Sequence, residues 1–274
     1  MKASYAQYTL HFRQPAGTSR GVLTDKETYF LKLEDEDMPG VFGLGECAVF
    51  RGLSADDVPA YEDKLRELCA NISADKETDL HEFPSIRFGL ETAINDFANG
   101  CRRQPFPSDF TEGMSAIPIN GLVWMGTKEE MLRRIDDKIK AGFTTIKLKV
   151  GAIDTESELD LVRHIRKVFP PEALTIRLDA NGGFTPDNAL QKLSDFARYG
   201  IHSIEQPIKQ GQWEAMRRIC SESPIDIALD EELIGIHTPE RMGEMLDAVR
   251  PKYIILKPSL IGGFSGSQDW IVQA

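Results

Sequence analysis

Six ionisable residues of this 274-residue chain keep step with short apolar segments. Lys147 and Lys149 alternate through Ile146-Lys147-Leu148-Lys149-Val150. Asp179 ends Ile176-Arg177-Leu178, Glu205 follows Ile204, Asp230 follows Leu229 and Lys257 follows Leu256. From Lys149 to Lys257 the steps are 25 to 30 residues, about one strand–helix unit each. An Asp after a strand is often no more than the cap of the next helix, but capping does not account for five residues in phase, two of them lysines. Three carboxylates on consecutive strands, about 4.8 Å apart in the pairing direction, repel one another unless a cation sits among them. Oxygen-only ligands select a hard dication, Mg²⁺ first with Mn²⁺ as a substitute, and leave about three octahedral positions for substrate oxygen and water. The chemistry this suits is removal of a proton from the carbon beside a carboxylate. The metal would stabilise the enediolate, and a lysine would act as base. Lys147 and the dication both disfavour a charged Lys149, which fits it for that work.

The elements that must position these residues follow from periodicity. From Ile117 onward short apolar strands alternate with amphipathic helices, the pattern of βα units on a parallel sheet. Strands are expected at 117–124, 144–150, 175–179, 203–206, 225–230 and 253–257, and helices at 128–141, 156–168 and 186–199, with a further helix over 265–274. Thr185-Pro186 and Thr238-Pro239 read as helix starts, a hydroxyl cap followed by proline at the first position. Alternate strand residues share a face, so Lys147 and Lys149 point to the barrel interior while Ile146, Leu148 and Val150 pack on helices. All the ionisable residues are then expected at one height, the C-terminal mouth where barrel active sites form. In an eight-stranded ring Lys149 and Lys257 face each other across the carboxylate arc. Residues 1–115 differ in texture: a strand over 28–33 and helices over 55–71 and 88–97 suggest a small α+β unit, with 101–113 leading out of it. The expected division is therefore 1–115 and 116–274.

Composition narrows the classes. The net charge is −11, with 41% hydrophobic and 27% charged residues, ordinary for a folded chain and contrary to the basic surface that nucleic acid requires. No 18-residue apolar run or signal-peptide core is present, so neither a membrane partner nor export is expected. Cys47, Cys69, Cys101 and Cys220 form no Cys-x-x-Cys pair and read as reduced thiols of a cytoplasmic protein. Gly262, Gly263 and Gly266 match no phosphate-binding pattern and read as a turn after the sixth strand.

Lys-x-Lys, Asp-x-Asn, Glu-Gln-Pro, Asp-Glu and Lys-Pro, in this order and spacing, resemble the enolase superfamily, muconate-lactonizing subgroup, from about Ile117 to the end. Gly43-Leu44-Gly45-Glu46-Cys47 is similar to that family's capping-domain signature, and 14–23 is most similar to the o-succinylbenzoate synthases of menaquinone biosynthesis. The resemblance implies an α/β fold, a modified TIM-type barrel with an N-terminal α+β capping domain. It implies Mg²⁺ on Asp179, Glu205 and Asp230. Lys149 would abstract the α-proton of 2-succinyl-6-hydroxy-2,4-cyclohexadiene-1-carboxylate and help the hydroxyl leave. Lys257 would stabilise the enediolate as a cation, and Lys147 would support Lys149 near the substrate carboxylate. Asn181 and Glu231 would buttress these groups. Arg20, Phe50 and Ser259 would touch substrate, the first two from lid loops. The expected partner is a small-molecule carboxylate. Family members continue through further βα units, so the barrel is expected to be C-terminally incomplete, with an open sheet edge that favours poor stability or homo-oligomeric association. Two other readings stand beside dehydration: epimerisation of dipeptides or N-succinyl amino acids, or muconate-type cycloisomerisation, on the same site; and a truncated, non-catalytic relic, which Mg²⁺ titration separates from the rest.

Overall fold

The computed structural model describes residues 1–18, 21–38 and 40–274, with backbone alone for 16–18. The chain opens in a long antiparallel hairpin, β1 (Lys2–Thr18) and β2 (Gly21–Glu34), which β3 (Phe42–Cys47) extends to a three-stranded sheet in the order β1-β2-β3. Tyr29, Leu31 and Leu33 alternate inward along β2, the period-two pattern of a strand with one buried face. Two helices cover that face, α1 (Tyr61–Ser73) and α2 (Pro84–Ala98), and Tyr61, Leu65, Leu68 and Ile86 complete its apolar cluster. The sequence pattern places the first helix from residue 55, but it starts at Tyr61. Pro59 keeps Val58 out of helical geometry, Asp57 accepts the Gly52 N–H at 2.8 Å, and Asp56 accepts the Ser85 N–H at 2.8 Å, which pins the intervening loop to the start of α2.

α2 lies unusually close to β3. A Cβ on Gly45 would fall 1.8 Å from the Gly89 carbonyl oxygen, and one on Gly89 would fall 2.4 Å from Cys47 Sγ. The glycines of Gly43-Leu44-Gly45-Glu46-Cys47 are there because helix backbone rests on strand backbone with no room for a side chain. Asp96 of α2 seals the contact by accepting the Leu44 N–H at 3.0 Å.

The second sheet has six parallel strands in sequence order: β4 (Gly121–Val123), β5 (Thr145–Lys149), β6 (Thr175–Asp179), β7 (Ile201–Glu205), β8 (Asp226–Leu229) and β9 (Tyr253–Ile254). Each is followed by a helix: α3 (Lys128–Lys140), α4 (Thr155–Arg166), α5 (Ala189–Ala197), α6 (Trp213–Glu222), α7 (Pro239–Val249) and α8 (Gly263–Gln273). Ile146, Leu148, Ile176, Leu178 and Ile204 point outward into one core with Leu161, Val162, Phe196, Ile219, Met245 and Trp270 of the helices. Among the described residues no helix is long and apolar enough to cross a membrane.

Three expected boundaries shift. β4 is short because Pro118 has no N–H to donate, and Ile117 and Ile119 stay exposed. Thr185-Pro186 opens a single turn, with Ala189 N–H donating to Thr185 O at 3.0 Å and the Asn188 side chain accepting the Thr185 N–H at 3.0 Å, and the regular helix α5 starts only at Ala189. The sixth strand ends at Ile254, with one further bond from Ile255 N–H to Leu229 O at 2.8 Å. Thr238-Pro239 does start α7, with the Thr238 hydroxyl accepting the Arg241 N–H.

Beside an edge-on His81–His237 ring pair at 5.5 Å, two further contacts among the described residues fasten the small sheet unit to the barrel. Glu91 of α2 caps the N-terminus of α8, accepting the N–H groups of Phe264 and Ser265 and the Ser265 hydroxyl, while the Phe264 ring meets Phe88 edge-on at 5.2 Å. Phe50 and Leu53 pack against the barrel core from the opposite loop. Gly45→Ala, which forces α2 off β3, is expected to cost about 2 kcal/mol as an overpacking change, read as a lower urea midpoint at unchanged slope. An unchanged midpoint would mean that α2 does not rest on β3 in this way.

Candidate active site

Strand register sets the first part of the site. Lys149 pairs with Asp179, and Asp179 with Glu205, so these three side chains leave β5, β6 and β7 at one level. Beyond them the register is offset. Glu205 pairs with Ala228, which puts Asp230 two residues further up, and Leu229 pairs with Ile254, which puts Lys257 higher again. Strands of a coiling parallel sheet are staggered, and equal sequence steps do not encode that stagger. Asp230 and Lys257 still meet in an ion pair.

Lys147 Nζ sits between two carboxylates, 2.8 Å from Asp179 and 2.5 Å from Glu205. Lys149 Nζ donates to Asp179 Oδ2 at 2.7 Å and Asn181 Oδ1 at 2.5 Å, and lies 6.0 Å from the Trp124 ring centre. Asn181 in turn donates to Glu231 at 3.0 Å. Asn181 thus touches Lys149 directly and Glu231 touches Asn181, while both lysines point toward the carboxylates.

The electrostatics follow from burial and from an unequal sharing of cations. Burial pushes the Asp179 carboxyl up, yet Lys147 and Lys149 together hold it below the usual carboxylate range. Glu205 has only a share of Lys147; burial, with Asp179 and Asp230 alongside, raises it to about 8. Lys147 and Lys257 are both buried enough to favour neutrality, but Asp179 in one case and Asp230 in the other hold the proton on, so both sit above the ordinary lysine range.

Gln206 was not singled out by sequence reasoning, and it organises the upper half of the site. Fully buried, it accepts the N–H groups of Asp230 at 3.1 Å and Glu232 at 3.2 Å through Oε1, and donates Nε2 to Glu232 and to Ile208 O at 3.0 Å each. Its φ of 41° and that of Asn181, 44°, lie in the left-handed region that side chains rarely adopt. That conformation turns each chain sharply after its carboxylate. Glu-Gln-Pro is the only sequence signal for it.

The donor set suits a hard dication. Three buried carboxylates share the mouth, and among the described residues Glu205 Oε1 is buried with no hydrogen-bond partner. One more cation would satisfy that oxygen. No three His, Cys, Asp or Glu side chains among the described residues are grouped to grip one ion in this arrangement, because each carboxylate is drawn to an ammonium; holding a metal would require them to turn inward from those lysines.

A family model described as "Enolase C-terminal domain-like" matches residues 130–274. The chain belongs to the enolase superfamily. It is 42% identical, over 99% of its length and 82% of the relative's, to the o-succinylbenzoate synthase of Desulfotalea psychrophila. The crystal structure of MenC from that organism superposes with a TM-score of 0.85 at 38% identity, covering 100% of this chain and 83% of the other. The Thermosynechococcus elongatus o-succinylbenzoate synthase, solved with Mg in its active site, gives 0.77 at 25% identity, covering 98% and 79%. The L-Ala-D/L-Glu epimerase of Bacillus subtilis is 31% identical over 84% of this chain and 65% of its own length.

In this enolase-superfamily chain the expected substrate contacts fare differently. Phe50 lines a cavity of about 830 Å³ that also reaches Asn181 and Gly151, next to the lysines. Ser259 lies in a single helical turn, Pro258–Leu260, and does not line that cavity. Arg20 lies outside the described residues.

A raised Glu205 gives a signed pH prediction for the metal-free chain. With its proton kept to about 8 in the fold and lost near the ordinary 4.5 when unfolded, Glu205 contributes stability that is complete below 4.5 and fades as pH rises to about 8. Glu205→Gln, which keeps the shape and cannot ionise, is expected to flatten the decline of urea stability across that window; parallel profiles would contradict the assignment.

Proposed function

We propose that this chain is an o-succinylbenzoate synthase, converting 2-succinyl-6-hydroxy-2,4-cyclohexadiene-1-carboxylate to o-succinylbenzoate and water in menaquinone biosynthesis. The observation that carries the reading is the 42% identity over 99% of the chain with the Desulfotalea psychrophila synthase. In this reading residues 1–115 form the cap and 116–274 the catalytic unit, in keeping with their separate apolar clusters.

Asp179, Glu205 and Asp230 would hold Mg²⁺, whose charge stabilises the substrate carboxylate as the neighbouring carbon loses its proton. Lys149 takes that proton: it stands at one end of the carboxylate arc, oriented by Asn181 Oδ1 and Asp179. The electron pair left on the ring carbon forms the new ring double bond as the C–O bond breaks, and Lys149 returns its proton to the departing hydroxyl, which leaves as water. Lys257 stands at the other end of the arc. Asp230 holds its proton on, which suits a fixed cation beside the enediolate better than a second acid/base. Lys147 keeps Asp179 and Glu205 in place. The same oxygen set would accept Mn²⁺, and the four unpaired cysteines fit a reducing cytoplasm.

Dehydration of the cyclohexadiene acid with Mg²⁺ should be measurable in the wild-type chain and fall about a thousandfold or more in Lys149→Ala, with the far-UV spectrum unchanged. Epimerisation of L-Ala-L-Glu without dehydration would replace this reading. Binding of Mg²⁺ should also displace a proton from Glu205 at pH 7. Titration heats in buffers of different ionisation enthalpy should give close to one proton released, fading above the Glu205 value of about 8. No buffer dependence at pH 7 would remove Glu205 from the ligand set.

A further inference from the structure

The cavity beside the lysines has an asymmetry that the reaction centre does not use. Among the described residues its charged lining side chains are Arg51 from the cap and Lys209 from the loop after β7, and none of them is a carboxylate, in a chain whose net charge is −11. Arg51 is already held by Asp57 at 2.7 Å and Glu27 at 3.2 Å. Lys209 has no ion-pair partner among the described residues, and it is exposed at the rim. Between this cation and Asn181, the lining residue that accepts from Lys149, the lining is mostly apolar or backbone, with Leu23, Phe50 and Phe184 as its larger apolar side chains. The cavity therefore fits a ligand with an apolar stretch beside Phe50 and Phe184 and an anionic group at the Lys209 rim.

The backbone of Lys209 is fixed. Gly182 N–H donates to Gln206 O at 2.7 Å and Phe184 N–H to Pro207 O at 3.0 Å, which pairs the loop after β6 with the loop after β7. A Cβ on Gly182 would fall 3.0 Å from Lys209 Cα, so the two loops touch along their main chains. Lys209 O also accepts the Gln212 side chain at 2.9 Å. The ammonium is thus carried on a stiff base with a flexible arm, a good arrangement for meeting the end of a short acidic chain.

We propose that Lys209 binds the carboxylate at the far end of the substrate's succinyl arm and so selects dianionic substrates. This rests on the o-succinylbenzoate synthase reading, which supplies a molecule with one carboxylate on the ring and one on the arm. Lys209 touches no reacting atom; its contribution is to binding, and it belongs in KM and in product affinity.

The test compares wild type, Lys209→Ala and Lys209→Arg with Mg²⁺ present, following turnover of the cyclohexadiene acid and inhibition by o-succinylbenzoate and by benzoate, which lacks the arm. Loss of one charge-assisted contact predicts that Lys209→Ala raises KM and weakens o-succinylbenzoate about tenfold. kcat should change less than about threefold, benzoate inhibition should stay unchanged, and Lys209→Arg should recover most of the loss. An unchanged KM, a loss confined to kcat, or equal weakening of benzoate overturns the proposal. A wild-type chain that does not turn over the acid strikes at the reaction reading instead. In that case protection against thermal unfolding by o-succinylbenzoate, kept in wild type and lost in Lys209→Ala, still supports the Lys209 assignment, and no protection of wild type overturns it.

Discussion

Three carboxylates buried at the ends of neighbouring strands repel one another, and the mouth of this barrel is organised around containing that repulsion. Asp179 is fully buried, Glu205 and Asp230 nearly so, and ionised carboxylates in such a place need cations within contact distance. Lys147 and Lys149 meet the need because alternate residues of one strand face the same way. One lysine lies between Asp179 and Glu205, and the other bridges Asp179 to Asn181. Lys257 serves Asp230. The balance is uneven: Asp179 contacts two ammonium groups, while Glu205 shares one. Glu205 is consequently the group that keeps its proton and has an oxygen left over, the point at which an added dication gains most.

Holding charges so close demands stiff surroundings, and hydrogen bonds rather than apolar packing provide them at the mouth. Gln206 fixes the start of the turn after β8 from the end of β7. Asn181 and Gln206 adopt left-handed backbone conformations that glycine would enter more easily. Both residues instead use their side chains, Asn181 on Lys149 and Gln206 on the Asp230 main chain, so the strain is retained where an amide is needed. Behind Lys149 the buried Glu158 accepts the Gly151 N–H, which anchors the loop that leaves β5. Apolar packing works one layer out, where the alternate, outward-facing strand residues meet the helices.

The parts legible in the sequence were those governed by strict periods. Alternation in Ile146-Lys147-Leu148-Lys149 gave the facing of both lysines, and the recurrence of an ionisable residue after each apolar run gave the order of the site. What was illegible depends on neighbouring chains. The register offset of Asp230 and Lys257 is a property of strand pairing, and nothing in Leu229-Asp230 or Leu256-Lys257 records it. The pair Thr185-Pro186 opens a turn, as its residue types suggest, but regular helix waits until Ala189. Lys209 looks like any surface lysine until the loop holding it is seen paired with the loop at 182–184. Gly45 was legible as part of a family signature, but its physical reason, a helix carbonyl 1.8 Å from where a Cβ would stand, required α2 to be in place.

Two of the ways in which the small sheet unit meets the barrel bear on how reaction and selection are separated. Glu91 ties α2 to the first turn of α8, away from the loops that border the cavity, and the Phe264 ring packs between Phe88 and Phe106 there. That contact joins helix to helix and fixes the orientation of the cap. On the other side Phe50 reaches the barrel core and lines the cavity with one side chain. A cap oriented by the first contact can vary the residues around Phe50 without disturbing Lys149, Asp179 or Glu205, because those are held by β5, β6 and β7 and by one another. Recognition of the substrate's distant atoms therefore falls to the cap loops and the rim of the barrel. In the o-succinylbenzoate synthase reading proposed above, the proton transfer would fall to strand ends whose positions are fixed by hydrogen bonds in the parallel sheet.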